Sequence, residues 1–424
     1  MQESRRHHYQ PPSFRGAGAG IELPQADREP RLMRIALLAP LPPEQNGIAD
    51  YAGHLRHALE GIGLQVSTPL LGVGNDPRAA EQRVAETDWS EIDLVHAELG
   101  GGRLAEFQAL RALRRRFPKL PLTATVHDPE RLVWRREKLP WPLSIVSGMR
   151  SPLPEMATVL ADPLCLREER QLAQHMTRLV TLTQAGSQSL RQRMGLKTAQ
   201  MAVISHGNVA IAPAPLPPLK PLRLLYFGFI YRGKGIEDLL DALASVFTAQ
   251  PALRSTVRLT LAGGSEPEMA FGPSGSYLEQ LRLRIRQLGL VDLIDWQLDL
   301  PAEQIPQVIQ AHHVMVLPYR ESSKLKILGK LRGTSGALSW AVACGRGVIT
   351  SDARSFAEEV SHGNGMIYPQ GDVDGLAKAL TQACADPELV KKWAENASHM
   401  GKARVWSHTA EHFRDVFRQA CEEK

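Results

Sequence analysis

Four small residues, Gly333-Thr334-Ser335-Gly336, stand directly before the apolar stretch ALSWAVACG. The first amides of a helix have no partner inside it and the helix dipole places positive charge there, so such a segment can receive an anion. It would serve equally as an ordinary N-cap, and both roles can coexist because they use different amides. Arg232 and Lys234 form a cationic pair in the loop YRGKG. By itself the pair reads either as solvent-facing or as a contact for phosphate. His127 and Asp128 end the apolar run LTATVHD, and His96 and Glu98 lie at the end of IDLVHAEL. Side chains at the carboxyl ends of parallel strands sit where ligands bind in open α/β sheets, although a lone histidine there is also commonly structural. Gly47, after Asn46, suits close approach of backbone to a ligand, and a plain Asn-Gly turn as well.

The elements that must hold these residues alternate. RIALLAP from Arg34 is a buried-strand run, broken by LPPEQNG and followed by a helical pattern from Ile48 to Gly61. IDLVHAEL (92–99), LTATVHD (122–128), LVTLT (179–183) and MAVISHGN (201–208) repeat the strand signal with helical stretches between some of them. AIAPAPLPPLKP (210–221), with its five prolines, suits an extended connector and no central helix or strand. The alternation then restarts with LRLLYFGF, VRLTLAGG, LIDWQ, VMVLPY and VITSD. The expected class is α/β, two doubly wound domains whose strand ends face a common cleft. The expected boundaries are a flexible tail over 1–32, a first Rossmann-like domain over 33–209, a linker over 210–221, a second domain over 222–395, and C-terminal helices over 396–424. Trp406, Phe413 and Phe417 would carry those last helices back onto the first domain.

The 424 residues, 43% hydrophobic and 22% charged, provide for two cores. A net charge of +5 favours phosphates or acidic lipids over a nucleic-acid footprint. Cys165, Cys344, Cys384 and Cys421 have no metal-ligand spacing and fit a reducing cytoplasm. No bilayer-spanning run and no secretory core is present. The sequence shows no Ser-His-Asp arrangement, no metal constellation, and no GxGxxG after its first strand. Basic residues interleaved with Trp134 and Trp141 at 111–119 and 131–141 read as a solvated face or as a surface for anionic bilayers.

RIALLAPLPPEQNGIADYAGHL resembles the opening of family 4 glycosyltransferases of the GT-B fold. LLYFGFIYRGKGIEDLLDAL and VMVLPYRESS followed by SGALSWAVACGRGVITSD resemble their donor-site segments. The resemblance covers roughly 34 to 390. It implies an acceptor domain first and a nucleotide-sugar donor domain second. Lys234, six residues after Gly228, falls at the family's phosphate-binding lysine. Phe229 stands where an arginine is frequent, and Arg232 is a nearby substitute. Gly333 to Gly336 would meet the donor phosphate, the Gly47 loop would approach donor and acceptor, and His127 would reach the donor sugar across the cleft. His96, Glu98 and Asp128 are acceptor-side candidates, and His206-Gly207 is the turn into the linker. The sequence departs from the family where two glutamates are usual, carrying Arg332 and Trp340 instead. Glu321, Glu358 and Glu359 lack the required spacing.

The resemblance implies a retaining transferase that needs no cofactor and no metal. It would move a sugar from a UDP- or GDP-sugar to a saccharide or lipid-linked saccharide in bacterial exopolysaccharide or envelope synthesis. The place expected is the cytoplasm, peripheral at the inner face of the plasma membrane. Two other readings stay open: a glycosyltransferase-like binding protein without turnover, and a nucleotide-sugar epimerase or phosphorylase on the same architecture.

Overall fold

The computed structural model describes residues 32–44, 46–133, 139–146, 149, 153–264, 271–272, 275–321 and 333–423. The tail expected over 1–32 lies, apart from Leu32, outside them, as do Trp134 and Arg332. The first half contains strands β1 (Arg34–Leu38), β2 (Gln65–Ser67), β3 (Leu94–Leu99), β4 (Leu122–Val126), β5 (Arg178–Thr181) and β6 (Met201–Val203). They form one parallel sheet in the order β2-β1-β3-β4-β5-β6. Its helices are α1 (Gly47–Gly61), α2 (Pro77–Glu86), α3 (Leu104–Arg116), α4 (Leu153–Gln174) and α5 (Gln184–Met194).

The second half holds β7 (Leu222–Phe227), β8 (Val257–Gly263), a two-residue ribbon β9 (Phe271–Gly272) with β10 (Gly275–Ser276), then β11 (Ile294–Leu298), β12 (Val314–Leu317), β13 (Gly347–Ser351) and β14 (Gly365–Tyr368). Its sheet is parallel in the order β11-β8-β7-β12-β13-β14. The accompanying helices are α6 (Ile236–Ala249), α7 (Tyr277–Gln287), α8 (Ile305–Gln310), α9 (Gly336–Ala343), α10 (Phe356–Val360), α11 (Val373–Ala385), α12 (Pro387–Ala403) and α13 (Trp406–Glu422). Strands β3, β4, β12 and β13 are buried at every residue. Helices cover both faces, which is why these strands show no alternation of buried and exposed positions.

In each sheet the order reverses once. The first reverses between β1 and β3, the second between β7 and β12. The loops leaving those strands diverge at these points and open a crevice at the strands' carboxyl ends. The Gly47 loop follows β1 and the Lys234 loop follows β7, so the expected site residues stand beside both crevices.

The chain crosses between the halves twice. On the outward path Arg346, buried, donates to the carbonyls of Ala214, Pro215, Gln310 and His312, while Gln310 donates to the carbonyl of Ala212 at 2.8 Å. The proline-rich stretch is thus tied to the second half rather than hanging free. On the return path Asn208 and Val405 form a parallel bridge. Helix α13 then packs on α1, and Trp406, Phe413 and Phe417 join Tyr51, Leu55 and Leu59 in one core. Gly207 permits this crossing, since a Cβ there would come within 2.4 Å of the Trp406 ring. No helix among the described residues is long and apolar enough to cross a membrane.

Candidate active site between the two sheets

Lys234 leaves the loop after β7 with only 8% of its surface exposed. Its Nζ lies 3.8 Å from the centroid of the Tyr319 ring and 5.0 Å from that of Tyr231, an ammonium held against aromatic faces. Tyr319 follows β12, the strand across the reversal from β7. Its Oη lies 3.1 Å from Ser335 Oγ. Burial pushes the Tyr319 phenol up, but Lys234 and Arg354 pull it down further, so it lies below the ordinary tyrosine value.

Ser335 is the N-cap residue of α9, yet its hydroxyl is turned to Tyr319 and makes no capping bond. The N-termini of α1, α2, α5, α11 and α12 are capped by Asn46, Asp76, Thr183, Asp372 and Asp386. The first amides of α9 carry no such side chain. Thr334 Oγ1 is buried and has no hydrogen-bond partner among the described residues. Arg354, in a left-handed conformation at φ 56°, donates to the Thr334 carbonyl at 3.1 Å and sets the loop against β13. Buried polar groups are normally satisfied within the protein. Here a hydroxyl and a helix start without side-chain partners are linked through Tyr319 to an ammonium held on aromatic rings, which is chemistry suited to a phosphate.

Opposite this group lies His127. A Cβ on Gly333 would meet the His127 carbonyl oxygen at 1.9 Å, so only glycine lets the two loops approach this closely. His127 Nε2 is 2.7 Å from Glu98 Oε2. Glu98 is fully buried and also faces His96 at 3.3 Å, while His96 bonds Thr123 and Thr125. Burial raises the Glu98 pKa, but the hydrogen bonds from His127 and His96 outweigh it and hold the carboxylate below its usual range. Glu98 therefore stays ionised and fixes the ring of His127. His127 also packs edge-on against Tyr51, which touches His206 and Trp406. Burial, together with the neighbouring His127, His54 and Arg404, pushes His206 down to about 4.

The expected residues separate into those brought together and those placed elsewhere. Lys234, Gly333, Thr334, Ser335 and His127 form one connected group, with Gly336 opening α9. His96 and Glu98, expected on the acceptor side, lie fully buried behind His127 and support it. Every residue of β3 is buried on both faces, so alternation could not distinguish the inner pair. Asp128 accepts from the Gly101 amide at 3.0 Å and braces a loop. Arg232 turns out to Gln280 and the Tyr277 ring, apart from Lys234. Gly47 begins α1, exposed, with nothing within 4 Å of an added Cβ, and Asn46 Oδ1 caps the helix through Ile48 and Ala49. Tyr319, Arg354 and Tyr51 were not singled out from sequence. Tyr319 ends the run VMVLPY, a position that could have flagged it.

The glutamates after the donor segment have other partners. Glu358 accepts from the amides of Gln184 and Ala185 at 2.7 and 2.8 Å, occupying the start of α5 in the first half. Glu359, buried, pairs with Arg404 at 2.6 Å. Trp340 packs half-buried against the second core. In the basic stretch after Arg111, Arg111 pairs with Glu168, Arg115 with Glu81, and Arg114 donates to the Pro118 and His175 carbonyls. Much of that charge is held within the protein, and Arg131 is buried.

Residues 210–400 match the family described as glycosyl transferases group 1. A D-inositol 3-phosphate glycosyltransferase of Streptomyces bingchenggensis is 27% identical over 269 residues, 59% of this chain and 55% of that protein. The chain thus spans little more than half the length of that relative. A sucrose-phosphate synthase from Thermosynechococcus elongatus superposes with a TM-score of 0.67 at 17% identity, over 92% of this chain and 100% of that one. Anabaena HepE in complex with UDP gives 0.63 at 18%, over 91% of this chain and 100% of that one. The chain has the two-domain α/β fold of GT-B glycosyltransferases, and its second half is similar to the group 1 glycosyl transferases.

Proposed function

We propose that this chain is a glycosyltransferase that binds a UDP- or GDP-sugar between its two sheets and passes the sugar to a saccharide or lipid-linked saccharide. The observation that carries the reading is the grouping of Lys234, Tyr319 and the uncapped start of α9, with Gly333 lying directly against His127. A diphosphate leaving group gathers negative charge as the sugar bond breaks, and a fixed ammonium with aligned amides stabilises that charge without rearranging. Lys234 and the α9 amides would hold the diphosphate in place of a metal ion. His127, held by Glu98, would meet the sugar, and the departing diphosphate would help take the acceptor proton, giving retention. Anabaena HepE, similar in fold, has been solved with UDP and with UDP-glucose, which supports a uridine donor. The acceptor reading extends to exopolysaccharide or envelope polysaccharide made at the inner face of a bacterial membrane.

A second reading, a binding protein of this fold without turnover, is favoured by Trp340 standing where a carboxylate is usual. Calorimetric titration with UDP and GDP tests the donor site. Binding of one nucleotide supports it, and binding of neither sinks the assignment. Release of free nucleotide from the matching sugar-nucleotide then separates transferase from binding protein.

A further inference from the structure

Among the described residues, exposed large apolar side chains gather on α4. Leu153, Met156, Leu160 and Leu164 recur at steps of three and four, which places them on one helical stripe. All four are exposed, Leu160 to 66% and Leu164 to 59%, and Val159 borders them at 37%. The stripe runs about 16 Å at the usual rise per residue. The short 3-10 turn Leu143–Val146 packs on α4 and brings Ile145, with Trp141 just before it exposed to 82%. A monomeric soluble surface rarely gathers so many large apolar side chains in one place, and such patches mark interaction sites.

Charge decides what the stripe fits. Of the four acidic residues of α4, Glu169 is buried, Glu155 is half-buried, Asp162 is 3.0 Å from Arg193, and the partly exposed Glu168 is 3.6 Å from Arg111. Past Leu164, Arg167 and Arg170 are exposed, Arg170 donating to the Arg193 carbonyl at 2.7 Å. An apolar stripe with an exposed tryptophan beside it and cations at its end complements the headgroup boundary of an anionic bilayer. We propose that the α4 face, together with Trp141 and Ile145, is the surface by which this chain docks on anionic phospholipid. It takes that role from the basic stretch after Arg111, where Arg111, Arg114 and Arg115 are engaged within the protein. The inference stands apart from donor binding.

The test is co-sedimentation of the full chain with vesicles of phosphatidylcholine, with and without phosphatidylglycerol, beside the double variant Leu160→Ser/Leu164→Ser and Arg167→Glu. Solvent-exposed positions leave the fold intact, which thermal unfolding and nucleotide binding verify. The expected result is binding of the wild type to the phosphatidylglycerol vesicles, reduced at least about tenfold in the double variant and weakened in Arg167→Glu. Failure of the wild type to bind, or equal binding by the double variant, overturns the proposal. A concentration-dependent dimer that the double variant dissolves also overturns it and assigns the stripe to a second copy of the chain.

Discussion

Removing the Lys234 ammonium leaves the rest of the candidate phosphate site in place. In Lys234→Ala the Tyr319–Ser335 contact and the start of α9 keep their own supports, since Arg354 holds the Thr334 carbonyl and Ser335 bonds Tyr319. What is lost is one nearly buried cation at the carboxyl ends of β7 and β12. A hydrogen bond to a charged partner contributes about 1.5–3 kcal/mol, so the dissociation constant for UDP or GDP should rise about 10- to 150-fold. The Tyr319 phenol, which Lys234 now helps to hold down, should titrate higher in the variant. Calorimetry reads the first effect and tyrosinate absorbance the second. Unchanged nucleotide affinity in a folded variant would refute the phosphate role. A phenol that does not move would refute the placement of Nζ over the ring.

Other perturbations follow from single contacts. Gly333→Ala brings a Cβ against the His127 carbonyl at 1.9 Å, so the loops must part, and donor turnover should fall well below the wild type while each half keeps its secondary structure by circular dichroism. Gly207→Ala drives a Cβ into the Trp406 ring and should lower stability by about 1–3 kcal/mol, read in urea unfolding. Arg346→Met leaves the linker carbonyls of Ala214 and Pro215 without their donor and should destabilise by about 1–3 kcal/mol for each carbonyl left unsatisfied, read in the same assay. His206 has its pKa lowered from 6.5 to about 4, so above 6.5 it is neutral in both states, and as pH falls below 6.5 the unfolded chain gains the proton first. Stability should therefore drop between pH 6.5 and 4 by up to about 3 kcal/mol, and His206→Gln should flatten that slope.

The strands were legible because helices bury both sheet faces, so that β4, β7 and β12 are dominated by apolar residues and end near Gly, Pro and Asp. Strand β2 was not, being three partly exposed residues at a sheet edge. Helix α4 escaped notice because its large apolar residues point outward and Pro163 interrupts it, so its pattern announces no core. At the site, Lys234 was singled out through the family resemblance and the Gly333–Ser335 loop through its small residues before a helix. The supporting residues were not. That Ser335 would bond Tyr319 instead of capping α9, and that Glu98 would sit beneath His127, depends on contacts between segments far apart in sequence.

The most direct test of the account is to incubate the purified chain with UDP- and GDP-sugars, with and without candidate saccharide acceptors, and follow release of the nucleoside diphosphate. The account predicts release from one nucleotide class and its loss in Lys234→Ala. A chain that binds the nucleotide but releases none, with any sugar or acceptor, would contradict sugar transfer and leave a binding protein in this fold.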